Sequence, residues 1–381
     1  MSVPAVVVGA GINGLGVVRS LGRAGIPTWL IESDRSDPAL RTRHAKTVAT
    51  DSLSGAGVVD ALLALRARFT ADPVLFLTRE ETVEAVSLDL DRLTACYRLS
   101  MPGAALMRQL MDKTGFQMLA EEHGFPIPRA VHLRDAGDLH LSETLEYPCV
   151  LKPTVKTPSY AARFKKAYKV DSPAELREIF LGVDGTAEMV AQEWIEGGDD
   201  RIYFCLQYRR RGESGVARAS FTGRKLRSWP PQTGGTASCV PADDDAEELE
   251  GLTNAFFSAV GYFGIGSIEF KQHARTGRFL MIEPTVGRTD FQEEIATLNG
   301  VNIPYAAYCG ELGSDFAASR RAVPPAGWAD AAADRQSSQA QPHLRHSFPA
   351  GVRRYDALWR LDDPLPWCYA TAERVKARLL R

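Results

Sequence analysis

Three things are scarce in this sequence, and each absence excludes something. Cysteine is the first: the six residues Cys96, Cys149, Cys205, Cys239, Cys309 and Cys368 show no CxxC spacing. That argues against a zinc site or a disulfide framework and leads us to expect free thiols in a reducing cytoplasm. Long apolar runs are the second. None reaches the ~20 residues that cross a bilayer, and charges come too early for a secretory leader, so no membrane insertion is expected. A dominant charge is the third: 45 basic against 47 acidic residues leave a net charge of −2 and no global field for nucleic acid. No internal repeat and no Ser/His/Asp or Cys/His arrangement is evident. What remains is ordinary globular material. The 381 residues are 45% hydrophobic and 24% charged, enough for two or three packed domains.

The chain opens with an apolar strand over residues 3–9, a helix from about Gly14 and a second strand, Thr28 to Glu32. Between strand and helix stands Gly9-Ala-Gly11-Ile-Asn-Gly14, a full GxGxxG, and Glu32 lies where a ribose-binding acid belongs in a dinucleotide fold. Two readings stand. One is an NAD- or FAD-dependent oxidoreductase. The other is a βαβ unit whose glycines serve a tight turn and close helix packing. Strand 74–78 extends this small α/β region, which ends near residue 100.

Next comes a helix with Lys113 at its start and apolar Phe116, Leu119 and Ala120, stopped by Gly124 and two prolines. Tyr147-Pro-Cys-Val-Leu-Lys152-Pro153 reads as a short buried strand with one lysine, costly unless an anion meets it. Thr154 to Lys169 is basic, either a loop over phosphates or a solvated lid. Residues 173–181 form an amphipathic helix. Met189 to Ile195 forms a strand ending at Gly197-Gly198 with Asp199 and Asp200 after it, and strands 201–208 and 216–222 follow. Gly223 to Arg227 is a basic patch holding Arg224, Lys225 and Arg227. Each is either a contact for an anionic substrate or a surface charge. The Gly234-Gly235-Thr236 turn beyond them is either an anion loop or a hairpin connection. Residues 311–345 have little periodicity and read as linker and weak helix, and the tail from Tyr355 packs back on the body.

Residues 264–294 are expected to fold as a β-hairpin, with turn chemistry at Arg275-Thr276-Gly277. Placing His273 opposite Phe279 sets Lys271 against Met281 and Glu269 against Glu283, with Ile268, Phe270, Leu280 and Ile282 on the core face. Like charges directly opposite destabilise a sheet. The pair makes sense around a divalent cation such as Mg²⁺, which takes oxygen ligands from one or two carboxylates. It makes equal sense as a salt-bridged pair with Lys271 or Arg288 as counter-charge.

The elements come in a fixed order: Lys113 opening a helix that ends His123-Gly-Phe-Pro-Ile-Pro-Arg129, then Pro148-Cys-Val-Leu-Lys152-Pro153, then Val190-Ala-Gln-Glu-Trp-Ile-Glu-Gly-Gly198, then Ile268-Glu-Phe-Lys271 with Met281-Ile-Glu-Pro284. Over roughly residues 105–310 this series resembles the ATP-grasp superfamily, and within it the carboxylate–amine ligases. The resemblance implies an α/β protein. A Rossmann-like N-terminal domain (1–104) is followed by an ATP-grasp domain (105–310) with a lid at about 125–195. Residues 311–381 form a linker and C-terminal segment. It implies ATP held by Lys113 and Lys152 and by a hinge of Gln192, Glu193, Trp194 and Ile195, with Asp200 near the ribose. It implies Mg²⁺ or Mn²⁺ on Glu269 and Glu283. The expected chemistry is activation of a carboxylate as an acyl phosphate and its capture by an amine, with ADP and phosphate released. Substrates would be an amino acid or sugar acid and an amine, in a cytoplasmic protein, with a homodimer as the expected assembly. Lys152 and Arg288 would serve the chemistry. The usual asparagine after the last glutamate is Thr285 here and the arginine is displaced by one, so a non-catalytic ATP-binding module is a further reading. In this superfamily the N-terminal domain does not generally bind a dinucleotide.

Overall fold

The computed structural model describes residues 3–154, 158–165, 167–183, 187–213, 215–232, 234–318, 322–342 and 348–379. Three sheets organise them. The first is parallel, with strands β1 (Ala5–Val8), β2 (Thr28–Glu32), β3 (Lys46–Ala49) and β4 (Val74–Leu77) in the order β3-β2-β1-β4. β1 and β4 are buried throughout. Unbroken burial is what a parallel strand covered on both faces requires, and it explains the uninterrupted Ala-Val-Val-Val.

The second sheet is small and antiparallel, with β5 (Ala130–Leu133), β6 (Cys149–Pro153), β7 (Tyr168–Val170) and β8 (Met189–Glu193) in the order β5-β8-β6-β7. It has its own core, in which Leu133, Leu151, Val170, Leu176 and Phe180 are buried together. The expected basic loop is partly the helix Pro158–Arg163; residues 155–157 and 166 lie outside the described residues.

The third sheet carries the hairpin. Its strands are β9 (Ile202–Arg209), β10 (Ala219–Trp229), β11 (Gly235–Pro241), β12 (Gly264–Gln272), β13 (Phe279–Val286), β14 (Ala326–Ala329) and β15 (Arg353–Asp356), in the order β13-β12-β9-β10-β11-β14-β15. Alternation along β9 separates its two faces. Cys205 joins a cluster with Ile268, Phe270, Phe256 and Phe257, while Phe204 and Leu206 join Leu15, Val17, Ile295 and Trp328. The second cluster ties this sheet to the N-terminal helix Gly11–Arg23.

Two readings need correction. Residues 311–345, expected as linker and weak helix, do hold a helix, Ala331–Ala340, but also the strand β14, which the main sheet orders by pairing with β11. The hairpin register also differs from the expected one. His273 donates to Arg278 O at 2.9 Å, so the turn is one residue tighter, and Gln272, Lys271 and Phe270 face Phe279, Leu280 and Met281. A bulge then leaves Ile282 without an opposite residue and restores Glu269 against Glu283. Met281 N–H, turned out of the ladder, donates to Pro126 O at 2.7 Å. The core face is therefore Ile268, Phe270, Phe279 and Met281, all buried, and Leu280 and Ile282 are only half-buried.

The tail is anchored by Arg19, which is fully buried. Its guanidinium donates to Asp363 Oδ2 at 2.9 Å, Ala357 O at 2.8 Å and Leu358 O at 2.9 Å. Among the described residues no helix is long and apolar enough to cross a membrane.

Candidate nucleotide and metal site

β12 places Ser267, Glu269 and Lys271 on one face by simple alternation, and pairing with β13 adds Thr285 and Glu283 to it. The Glu283 carboxylate is exposed and makes no hydrogen bond or ion pair among the described residues. Glu269 has one strong partner: Lys225 Nζ reaches its Oε2 at 2.5 Å from β10. Burial is the largest influence on Glu269, and with Glu283 alongside it pushes the carboxyl up to about 7 despite Lys225. Burial would lower the Lys225 pKa, but Glu269, Asp290 and Glu283 together hold it above its ordinary value.

The three cations of the basic patch separate here. Lys225 is 3% exposed and directed at the carboxylate pair. Arg224, its neighbour on a strand of alternating faces, donates to Asp200 O at 3.0 Å. A bulge at Leu226 sends Arg227 to Asp334, whose Oδ1 it reaches at 2.7 Å and which also takes the Ser238 hydroxyl. Neither arginine is brought to Glu269.

Facing the hairpin is the end of β8. Glu193 donates its N–H to Arg129 O, and Trp194 donates to Pro148 O, both at 2.9 Å. The N–H of Ile195 has no acceptor among the described residues, and the ladder stops there. The Lys169 and Lys271 ammonium groups lie 5.6 and 5.2 Å from the centroid of the Trp194 ring. On β6, Lys152 Nζ donates to Gln192 Oε1 at 3.0 Å. Gln192 in turn donates to Gln117 at 3.2 Å, and Gln117 to Pro128 O at 2.9 Å. This chain of amides fixes Lys152 at the strand end. Lys113 is exposed at the start of its helix, where Asp112 accepts from Gly115 N at 2.7 Å. Asp199 is buried and takes the N–H groups of Ser228 and Gln232, so it orders the loop after β10.

Beyond β13 the chain turns at Gly287 and runs to the N-terminal sheet. Arg288 donates to Thr289 O at 3.2 Å, and Thr289 N–H donates to Leu77 O at 3.2 Å. Asn13, from the glycine motif, donates to Thr289 O at 2.9 Å and to Thr78 O at 3.1 Å, and its Oδ1 accepts from the Thr289 hydroxyl at 2.7 Å. Asp290 follows and accepts from the Ser267 hydroxyl at 2.9 Å. Asn13, Asp290 and Gln117 carry no signal in the sequence, and the counter-charge to Glu269 is Lys225 rather than the expected Lys271 or Arg288.

The glycine motif is closed. Gly9 turns at φ 96°, and a Cβ on Gly14 would lie 2.1 Å from Gly9 O, so tight packing accounts for both. The N–H of Ala10 donates to Glu32 Oε2 at 2.7 Å, and that of Gly11 to Asp37 Oδ2 at 3.0 Å. Arg79 pairs with Glu32 at 2.7 Å. These are the amides a pyrophosphate would need, and protein carboxylates hold them already.

Among the described residues no group of three or more His, Cys, Asp or Glu is placed to hold a metal. The hairpin can offer two carboxylates, which suits a cation whose other ligands are phosphate and water, such as Mg²⁺, and does not suit an all-protein cage. A cavity of about 900 Å³ near Tyr97, Arg98 and Phe263 includes none of these residues.

No family description and no curated protein matches the sequence. Solved structures do match in shape. Biotin carboxylase of Campylobacter jejuni, in complex with β,γ-ATP, superimposes with a TM-score of 0.64 at 15% identity over 84% of this chain and 74% of its own. N5-carboxyaminoimidazole synthetase of Staphylococcus aureus gives 0.63 at 14% identity, over 83% and 79%. The biotin carboxylase domain of 2-oxoglutarate carboxylase from Hydrogenobacter thermophilus, in complex with MgADP, ADP and bicarbonate, gives 0.62 at 13% identity, over 84% and 72%. With a Rossmann-like sheet, a small antiparallel sheet and a larger one facing it, the chain has the ATP-grasp fold.

Proposed function

We propose that this chain is an ATP- and Mg²⁺-dependent carboxylate–amine ligase that activates an acid as its acyl phosphate and joins it to an amine. The observation that carries the reading is the cross-strand pair Glu269 and Glu283, set across from a strand end where Ile195 offers a free N–H and Lys152 an ammonium. Phosphoryl transfer needs positioning and charge neutralisation more than a protein nucleophile. Ile195 N–H and the Glu193 carbonyl would bind the base, and Trp194 would pack near it. Lys152 and Lys113 would meet the phosphates, and Asp200 the ribose. Glu269 and Glu283, with the Thr285 hydroxyl, would hold Mg²⁺ or Mn²⁺, which when bound neutralises charge on the phosphates. Arg288, anchored through Thr289, would face the acid. Of the basic patch, Lys225 is the residue assigned to the site; Arg224 and Arg227 are assigned to support.

The matching structures are titled as carboxylases and a synthetase, with biotin carboxylase in complex with β,γ-ATP and a carboxylase domain in complex with MgADP among them. The acid is proposed to be an amino acid or sugar acid. All six cysteines are free thiols, in keeping with a cytoplasmic location. A homodimer is proposed because the Hydrogenobacter domain is titled a dimer; sizing by light scattering tests it. Release of ADP in a paired screen of acids and amines tests the function. Release that requires both partners and Mg²⁺ supports it. ATP binding with no release across the panel would favour the non-catalytic reading, which Thr285 in place of the asparagine motivates.

A further inference from the structure

A lysine with 3% exposure inside a carboxylate site is an expensive choice. Lys225 Nζ lies 2.5 Å from Glu269, and Glu283 stands directly opposite Glu269 with no partner of its own among the described residues. Two carboxylates facing each other repel unless a cation lies near. Lys225 supplies that cation from within the chain. Its stem rises from β10, two strands away from β12, so the ammonium reaches Glu269 across β9. A buried ion that loses its partner strongly destabilises the fold. The pair therefore separates only if both members find new partners at once.

We propose that Lys225 is a place-holder for the divalent cation, so that the hairpin refuses a free metal ion and accepts one that arrives with a nucleotide. This rests on the Mg²⁺–ATP reading above. A bare cation would take both glutamates from the Lys225 ammonium and leave it only Asp290, which already accepts from the Ser267 hydroxyl, Phe291 N–H and the Gln292 amide. A cation carried on a polyphosphate brings that anion with it: phosphate oxygens take over the ammonium as Glu269 turns to the metal. The exchange makes and breaks only ion pairs, and the charges balance on both sides. Its consequence is an order of loading, metal with nucleotide rather than metal first. It also leaves a lysine on the phosphates only when the metal is in place.

The test measures Mn²⁺ binding to nucleotide-free protein by paramagnetic resonance, in wild type and in Lys225→Met and Lys225→Arg. Lys225→Met is expected to bind free Mn²⁺ at least about tenfold more tightly, equal to about 1.4 kcal/mol. Lys225→Arg, which keeps the charge, stays within about twofold of wild type. Nitrogen-15 spectra of the wild-type lysine ammonium groups give a second readout that needs no variant to fold. The Lys225 signal should stay in place with Mg²⁺ alone and move with Mg²⁺ and a non-hydrolysable ATP analogue. If Lys225→Met gains no Mn²⁺ affinity, or the signal is unmoved by the loaded nucleotide, the place-holder idea is wrong even where the ATP analogue binds. If neither wild type nor variant binds metal or nucleotide in any combination, the underlying reading fails and takes this one with it.

Discussion

Two regions of this molecule gather carboxylates beside basic side chains, and they end in opposite conditions. At the carboxyl end of β1 and β2, Glu32 accepts from the N–H groups of Ala10, Ser33 and Asp34 and pairs with Arg79, while Asp37 takes Gly11. At the β12–β13 hairpin, Glu269 has Lys225 and Glu283 has nothing among the described residues. Burial acts on both glutamates and raises the pKa of each. At Glu32 the amides and Arg79 overcome it and hold the carboxyl below its ordinary range; at Glu269 burial prevails and the carboxyl rises to about 7. A carboxylate held by its own chain's amides is structural, whereas Glu283, exposed and held by no side chain among the described residues, is open to a ligand. The glycine-rich loop is by this measure a joint, clamped to the main domain through Asn13 and Thr289.

The contrast can be broken from either side. The largest effect belongs to the hairpin: Glu283→Ala should lower Mg²⁺-dependent ADP release by about 10²–10³-fold, the range for losing one electrostatic stabiliser. Turnover at the wild-type rate would remove Glu283 from the site. A pH titration of Mn²⁺ binding comes next. With its pKa raised, Glu269 is protonated below about 7 and must release that proton to ligate. Affinity should therefore climb by up to about tenfold per pH unit below that value and level off above it. A flat profile would mean that Glu269 is already ionised or takes no part. Lys152→Ala should raise the KM for ATP by about tenfold with a smaller change in kcat, as loss of a phosphate contact does.

The smallest effect is expected in the N-terminal loop. Glu32→Gln should cost about 1–2 kcal/mol of stability through weakened charge-assisted hydrogen bonds, with ATP affinity unchanged within about twofold. The sign with pH follows from a depressed pKa. Glu32 stabilises fully above its unfolded value near 4.5, and that contribution is lost as pH falls through the lower folded value. Denaturation curves for wild type and Glu32→Gln should therefore converge in acid. A variant of normal stability that had lost ATP binding would turn the comparison around and make the glycine loop the nucleotide site.

The contrast also shows what a sequence of this kind discloses. The order of elements from Lys113 to Glu283 was legible because each is a local pattern: a capped helix, a short apolar strand with one lysine, a Gly-Gly stop, an alternating hairpin. Glu269 opposite Glu283 was legible too, although the turn is one residue tighter than expected and the bulge at Ile282 restores the match. A bulge leaves no mark in a period of two, which is why Leu280 and Ile282 were placed on the core face. The bulge at Leu226 hid the separation of Lys225 from Arg227 in the same way. The Asn13–Thr289 clamp was out of reach for a different reason, since it joins residues 276 apart in the chain. The closing of the glycine motif by Glu32 and Asp37 was equally hidden, because a GxGxxG followed by an acid reads the same whether the acid faces a ribose or the motif's own amides.

On the reading proposed above, the hairpin and not the glycine loop holds the metal-bound nucleotide. Calorimetric titration of a non-hydrolysable ATP analogue, with and without Mg²⁺, into wild type, Glu283→Gln and Glu32→Gln tests it most directly. Mg²⁺ should tighten binding by at least about tenfold in wild type and Glu32→Gln and have little effect in Glu283→Gln, a difference of about 1.4 kcal/mol. The same Mg²⁺ dependence in Glu283→Gln as in wild type, or its loss in Glu32→Gln alone, would contradict it.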